Sequence, residues 1–288
     1  MQRIAFAASL AYPMSADDAL AADLLRAEGV EIETPAWDDP AADWGRFDLV
    51  VIRSVWNYHH AADRYAAWLR SFLPHPGLLW NPPEAVLVNL DKRYLLALAE
   101  RGAEIVPTTV RLMGEGESLQ AILHRNGWSE VVVKPTISAG AEGAWRATAA
   151  EEARFDEQAR TRSLLVQPFI PEIADRGEWS LVYFAGEYSH AVIKRPMSGD
   201  FRVHLHHGGS NESASPPAWL VAQGKFILSL VGQPLLYARV DGVERGGRFL
   251  LMELEINEPF LYLAHDPDAP RRFADAIRTM LHRRPSVS

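Results

Sequence analysis

The first ninety residues alternate between short unbroken apolar runs and stretches in which apolar residues recur every three or four positions. Residues 4–10 suit a buried strand. Residues 16–28 suit a helix through Leu20, Leu24 and Leu25 that stops at Gly29, and residues 30–34 a second strand. Another apolar run covers 47–53, followed by a Trp- and Leu-rich helix at about 63–72. Strands alternating with helices imply a small parallel sheet covered on both faces. Ligands of such sheets sit beyond the carboxyl ends of the strands, where Arg53, Trp56, Asn57 and Tyr58 fall.

A proline-rich connection at 74–83 is the first candidate boundary. Beyond it the pattern predicts a helix at 93–100, stopped by Gly102, and a strand at 129–135 leading into a small-residue loop at 138–143. A strand at 164–170 follows, then a hairpin of 178–184 and 187–194 turning at Ala185-Gly186. A helix at 218–230, strands at 235–243 and 249–256, and a helix at 270–282 complete the chain before a loose tail.

At 288 residues the chain is long enough for two or three compact units. Its net charge of -8 argues against a general nucleic-acid binder, because a phosphate backbone requires a basic face. There is no cysteine, so thiolate chemistry and disulfides are excluded. The start invites a signal-peptide reading, but Asp17-Asp18 follow a short mixed run at once, and a first strand is the better expectation. No stretch approaches the roughly 20 apolar residues of a membrane span. The expected location is the cytoplasm, with a small amino-acid-like molecule as partner, and a homodimer is left open.

Charged residues concentrate late in the chain, in Arg239-Val-Asp241 and Glu253-Leu-Glu255-Ile-Asn257-Glu258. Residues two apart on a strand share a face, so Arg239 points with Asp241, and Glu253 with Glu255 and Asn257. Two neighbouring strands would then present two carboxylates and an amide oxygen to one point, a hard-oxygen set suited to magnesium. Arg239 beside them would neutralise a transferring phosphoryl group. Solvated outward charges on two amphipathic strands are the bland alternative. The flanking Leu250, Leu251, Met252, Leu254 and Ile256 weigh against it, because charges on buried strands need partners. Lys134, at a strand end before the small-residue loop, can hold phosphate, as can Lys92 ahead of its helix. In the segment 201–209, Arg202, His204 and His206 share a strand face beside Gly208 and Gly209. That arrangement fits a phosphate- or substrate-facing loop better than a zinc site.

In sequence order stand Asn89-Leu-Asp-Lys92, Pro107-Thr-Thr, Val132-Val-Lys-Pro135, Val166-Gln-Pro-Phe-Ile170, Gly177-Glu178, Arg239-Val-Asp241 and Glu255-Ile-Asn257. Over nearly its full length the chain thereby resembles the ATP-grasp superfamily. The stretch 193–209 is similar to ribosomal-protein glutamate ligases and glutathione synthetases. A narrower resemblance rests on Asp48-Leu-Val-Val-Ile-Arg-Ser-Val-Trp-Asn-Tyr-His-His60, Trp80-Asn-Pro82, Gly186-Glu-Tyr-Ser-His-Ala191 and Leu251-Met-Glu-Leu-Glu255. These resemble the cyclo-ligases that close the ring of D-cycloserine from O-ureido-D-serine, a group whose last motif often lacks the asparagine supplied here by Asn257.

The resemblance implies an α/β ATP-grasp fold with an N-terminal parallel-sheet unit (1–88), a central lid unit (89–165) and a C-terminal unit (166–288). It implies ATP and Mg2+ as cofactors, with Lys92 and Lys134 on the phosphates. Gln167, Phe169 and Ile170 would line the adenine, and Glu178 would take the ribose hydroxyls. Asp241, Glu255 and Asn257 would bind magnesium, with Arg239 at the phosphoryl transition state. Arg202 with Gly208-Gly209 would meet the γ-phosphate or the activated carboxylate. His204 stands where the glutamate ligases usually carry asparagine, and a general-base role is expected of it. Arg53, Trp56, Asn57, Tyr58 and Lys194 are the expected substrate contacts. The expected activity is carbon–nitrogen ligation through an acyl phosphate, the rivals being a small-molecule phosphotransferase and a non-catalytic nucleotide-binding scaffold.

Overall fold

A computed structural model describes residues 1–197, 202–203 and 208–282. The first sheet has the order β2-β1-β3-β4, all parallel, from β1 (Arg3–Ala8), β2 (Glu31–Glu33), β3 (Leu49–Ser54) and β4 (Leu79–Trp80). Helices α1 (Ala16–Ala27), α2 (Ala62–Arg70) and α3 (Pro83–Asn89) accompany it. Ser15 caps α1 by accepting from the Asp18 amide, and Asp17 and Asp18 sit in its first turn, where they suit the helix dipole. The connection at 74–83 holds the short edge strand β4.

A second sheet, β5-β8-β6-β7, is antiparallel. It consists of β5 (Thr109–Arg111), β6 (Val131–Pro135), β7 (Trp145–Ala147) and β8 (Leu164–Pro168). α4 (Tyr94–Glu100) precedes it, and α5 (Leu119–Asn126) and α6 (Glu152–Ala159) contribute Leu119, Ile122, Leu123, Phe155 and Ala159 to its core. The boundary expected between 165 and 166 is thereby corrected. β8 pairs along its whole length with β6 and over residues 164–166 with β5, so a cut between 165 and 166 would divide both ladders.

The third sheet, β11-β10-β9-β12-β13, is built from β9 (Glu178–Phe184), β10 (Glu187–Arg195), β11 (Ser210–Ala214), β12 (Tyr237–Arg245) and β13 (Arg248–Glu255). α7 (Glu172–Arg176) leads into it, α8 (Ala218–Ser229) crosses one face, and α9 (Ala269–His282) ends the described chain. Among the described residues no helix is long and apolar enough to cross a membrane.

Period-two alternation sorts the third sheet. Leu181, Tyr183, Ala238, Val240 and Leu254 face a core shared with Leu95 and Leu98 of α4 and Leu220 and Ile227 of α8. On the opposite face Val182, Phe184 and Val192 share a core with Phe6 and Val51 of the first sheet, Leu25 of α1 and Phe273 and Ile277 of α9. The first and third sheets are thus joined through common apolar packing. Further along that same face the residues are charged.

Candidate active site

The strand registers assemble the charged end. Arg239 lies opposite Glu255 and Asp241 opposite Glu253, while on its other side Asp241 faces Ser180, and Glu178 pairs with Lys194. The Ser180 hydroxyl donates to Asp241 Oδ1 at 2.7 Å. Lys194, 2% exposed, bridges Glu178 (2.5 Å) and Asp241 (2.9 Å). Arg239 grips Asp241 through Nε (2.9 Å) and Nη2 (2.8 Å), and its Nη2 also donates to Glu255. From outside the sheet, Lys92 pairs with Glu253 at 3.1 Å and donates to the carbonyl of Ser138 at 2.5 Å.

These contacts set the charge states. Burial alone would raise Asp241, but Arg239 and Lys194 hold it well below the usual carboxylate range. Burial would lower Lys194, and Asp241 and Glu178 instead hold it above its ordinary value. Glu253 resists burial through Lys92 and Lys134 and stays low. Lys134 is pushed down by burial and by Lys92, against the pull of Glu253 and Glu178. Burial lifts Glu255 to about 7, and Asp241 and Glu253 add to the lift against Arg239. Glu258 rises to about 8, first through burial and then through repulsion by Glu255.

The cluster forms one wall of a cleft of about 930 Å³. Val106, Phe169, Ile170, Ile173 and Met252 line an apolar part, the loop 138–144 covers the polar part, and Tyr12, Trp56, Tyr58, Phe260 and Tyr262 also contribute. Lys92, Lys134, Gln167, Glu178, Lys194, Arg202, Arg239, Asp241, Glu255 and Asn257, all singled out in the sequence, meet here. The convergence of Lys134 with Asp241, which the nucleotide reading requires, is therefore present. Gln167 is 4% exposed, and its side chain donates to the Thr108 hydroxyl at 2.9 Å, which leaves its neighbours to shape the apolar wall.

Three expectations are corrected. Arg53 does not reach the cleft. It is 1% exposed, donates to Asp18 (2.7 Å) and to the Pro259 carbonyl (2.7 Å), and lies over the rings of Tyr237 and Phe273. Asn57 turns away as well, accepting from Trp37 Nε1 and donating to Asp38, both at 2.8 Å. Gly208 and Gly209 pack off the cleft wall. A Cβ on Gly208, whose φ is +81°, would meet Met197 Sδ at 2.9 Å, and one on Gly209 would meet the Val203 carbonyl oxygen at 2.3 Å. Lys194 does line the cleft, held between Glu178 and Asp241. His204 lies outside the described residues.

What sequence reasoning missed is the support of residues 254–261. β13 is an edge strand that ends at Glu255, so the outward carbonyls near its end and those beyond it must find other partners. Asn89 donates to the carbonyl of Leu254 (2.8 Å), Asn81 to Ile256 (2.7 Å), Tyr237 to Asn257 (2.7 Å) and Trp56 to Glu258 (3.1 Å). Arg53 takes Pro259 (2.7 Å), Arg239 takes Phe260 (2.9 Å), and His190, which burial lowers to about 4 and keeps neutral, takes Leu261 (2.8 Å). The segment carrying Glu255, Asn257 and Glu258 is thereby held by donors from the first unit and the third sheet. Glu258 itself was visible in the acidic run but had no assigned role.

The donor set fits a magnesium ion. Asp241, Glu255 and Glu258 bring carboxylates into one cleft, two of them held above the ordinary range, a state that a divalent cation would relieve. The Asn257 carboxamide accepts from Tyr65 at 2.6 Å while its Nδ2 is buried without a partner. A half-turn of the carboxamide exchanges its oxygen and nitrogen, putting an oxygen ligand where the orphaned nitrogen lies and leaving an N–H to meet Tyr65.

Comparison with known proteins finds relatives that span most of the chain. Residues 4–81 match the family model for the N-terminal domain of D-cycloserine synthetase DcsG. The chain is 31% identical over 276 residues to the cycloserine biosynthesis protein DcsG of Streptomyces lavendulae, covering 89% of this chain and 91% of that one. The crystal structure of D-cycloserine synthetase DcsG superposes with a TM-score of 0.85 at 27% identity, over 97% of this chain and 99% of the other. D-alanine–D-alanine ligase of Bacillus anthracis, solved with ATP, shares the fold at a TM-score of 0.69 and 16% identity, over 98% of each chain.

Proposed function

The chain belongs to the D-cycloserine synthetase family of ATP-grasp ligases, and from that premise we propose that it uses ATP to activate the carboxylate of a small amino-acid-like substrate and joins it to an amine. The observation that carries this reading is the meeting of Lys92, Lys134, Lys194 and Arg239 with Asp241, Glu253, Glu255 and Glu258 in one cleft with an apolar part.

In this reading the apolar wall of Val106, Phe169, Ile170 and Met252 takes the adenine, and Glu178 accepts from the ribose hydroxyls. Lys92 and Lys134 hold the phosphates, with Arg202, Lys194 and Arg239 at the transferring group. Asp241, Glu255 and Asn257 would hold Mg2+, with Glu258 as a further oxygen donor. When bound, the ion neutralises phosphate charge and orients the phosphate oxygens. Two like unit charges about 4 Å apart repel by about 4 kcal/mol at an effective dielectric near 20, so a carboxylate cannot approach an unneutralised triphosphate. The lysines and Arg239 remove that barrier.

The substrate carboxylate then attacks the γ-phosphorus, the bond to the bridging oxygen breaks, and ADP and an acyl phosphate result. The amine nitrogen attacks the acyl carbon, the carbon–oxygen bond to phosphate breaks, and the nitrogen's proton passes to solvent. The loop 138–144 shields the acyl phosphate from water. Tyr12, Trp56 and Tyr58 shape the substrate end, and an intramolecular amine would give ring closure of the cycloserine kind. The test is a screen for ADP and free phosphate across amino acids and their hydroxylamine-derived analogues, beginning with O-ureido-D-serine. Both products should appear only with substrate. ADP without free phosphate would mark a phosphotransferase, and ATP binding without turnover across the panel would mark a scaffold.

A further inference from the structure

At the rim of the cleft, three side chains from two units converge. His59 and His60 lie in the turn Tyr58–Ala61 that follows β3, and Glu142 belongs to the loop between β6 and β7 that covers the cleft. The Nε2 atoms of His59 and His60 lie 2.9 and 3.0 Å from the same oxygen, Glu142 Oε2, and the two imidazole centroids are 4.0 Å apart. One donor atom from each residue lies within 4.8 Å of the other two. The His59 side chain is 10% exposed, whereas His60 and Glu142 are open to solvent, so an ion can enter without any movement of the core.

Both Nε2 atoms face the same Glu142 oxygen, so an ion entering there meets all three donors once each ring yields its Nε2 proton and carries its N–H on Nδ1. Two imidazole nitrogens and one carboxylate oxygen suit zinc and its neighbours, whereas magnesium takes oxygen donors. Water would complete a four-coordinate shell. The location gives the ion a consequence, because the ligands span two units. His59 and His60 lie in the turn after β3 of the first sheet, and Glu142 belongs to the loop 138–144.

We propose that His59, His60 and Glu142 form a binding site for a divalent transition-metal ion, zinc by its donor chemistry, which fastens the loop 138–144 to the first unit. The experiment is zinc titration of the full chain against a chromophoric chelator, with magnesium in excess to occupy oxygen sites. One zinc equivalent is expected per chain. His60→Ala and Glu142→Ala should each weaken binding by at least about tenfold, while Asp241→Asn leaves it unchanged. Hydrogen exchange supplies the second measurement, in which zinc should protect residues 138–144 in the unaltered chain and not in Glu142→Ala. No zinc uptake by the unaltered chain, or undiminished uptake by both rim variants, overturns the site. Uptake without loop protection overturns the fastening. None of these measurements involves turnover, so their failure is separable from failure of the ligase reading.

Discussion

Replacing Arg53 by methionine removes a guanidinium that is 1% exposed while keeping most of its apolar contact with Tyr237 and Phe273. The loss falls on two charge-assisted hydrogen bonds, to Asp18 and to the Pro259 carbonyl, each 2.7 Å long. Asp18 keeps its bond from the Ser15 hydroxyl at 2.8 Å but loses its only ion-pair partner among the described residues. Removing one member of a buried pair costs about 3–5 kcal/mol, because the other is left charged and desolvated. A domain of this kind holds about 5–15 kcal/mol in all. At about 2 °C per kcal/mol for a chain of this size, Tm should fall by roughly 6–10 °C. Adding Asp18→Asn to Arg53→Met should return about 1–3 kcal/mol of that loss, since the orphaned charge is gone. Thermal and urea unfolding of the two single variants and the double variant measure the coupling, and substrate KM is read alongside. An unchanged Tm with a raised substrate KM would refute the reasoning and return Arg53 to the substrate-anchoring role expected from sequence.

Asp241→Asn and Glu255→Gln should each lower magnesium-dependent ADP formation about 100-fold or more with little change in far-UV circular dichroism; retained activity in both removes the metal assignment. Glu255 near 7 and Glu258 near 8 lie above an unfolded value of about 4.3. Their contribution to stability is full below that value and is lost as pH rises through 7 to 8. Magnesium favours the ionised forms, so its stabilising effect should grow across the same window. A magnesium shift in Tm that is flat from pH 5 to 8.5 would contradict this (a pH range set by about one unit beyond those values). Gly224→Ala in α8 places a Cβ 2.0 Å from the Tyr183 hydroxyl, for an expected cost of about 1–3 kcal/mol in urea unfolding, partly recovered by Tyr183→Phe.

The charged face of the third sheet was legible because strand alternation is local. Once 237–245 and 248–255 are strands, Arg239 must share a side with Asp241 and Glu253 with Glu255, and the register that pairs Arg239 with Glu255 puts all four on one face. The helices α5 and α6 escaped notice because eight residues carry too few turns for an apolar stripe to stand out. The unit boundary at 165/166 failed for a different reason. Nothing within residues 164–168 says that their partners are 109–111 and 131–135, since pairing depends on segments far away in the chain.

By itself, then, the sequence determined most of the strands and longer helices, the family, and which residues share a face of one strand, all from short-range periodicity and ordered motifs. Only the tertiary structure decided what each charge meets. Arg53 and Lys194 are both cations on strands, yet one is taken up by Asp18 and a backbone carbonyl and the other by Glu178 and Asp241. A buried charge takes its role from the groups that compensate its desolvation, and in a folded chain those groups come from distant segments.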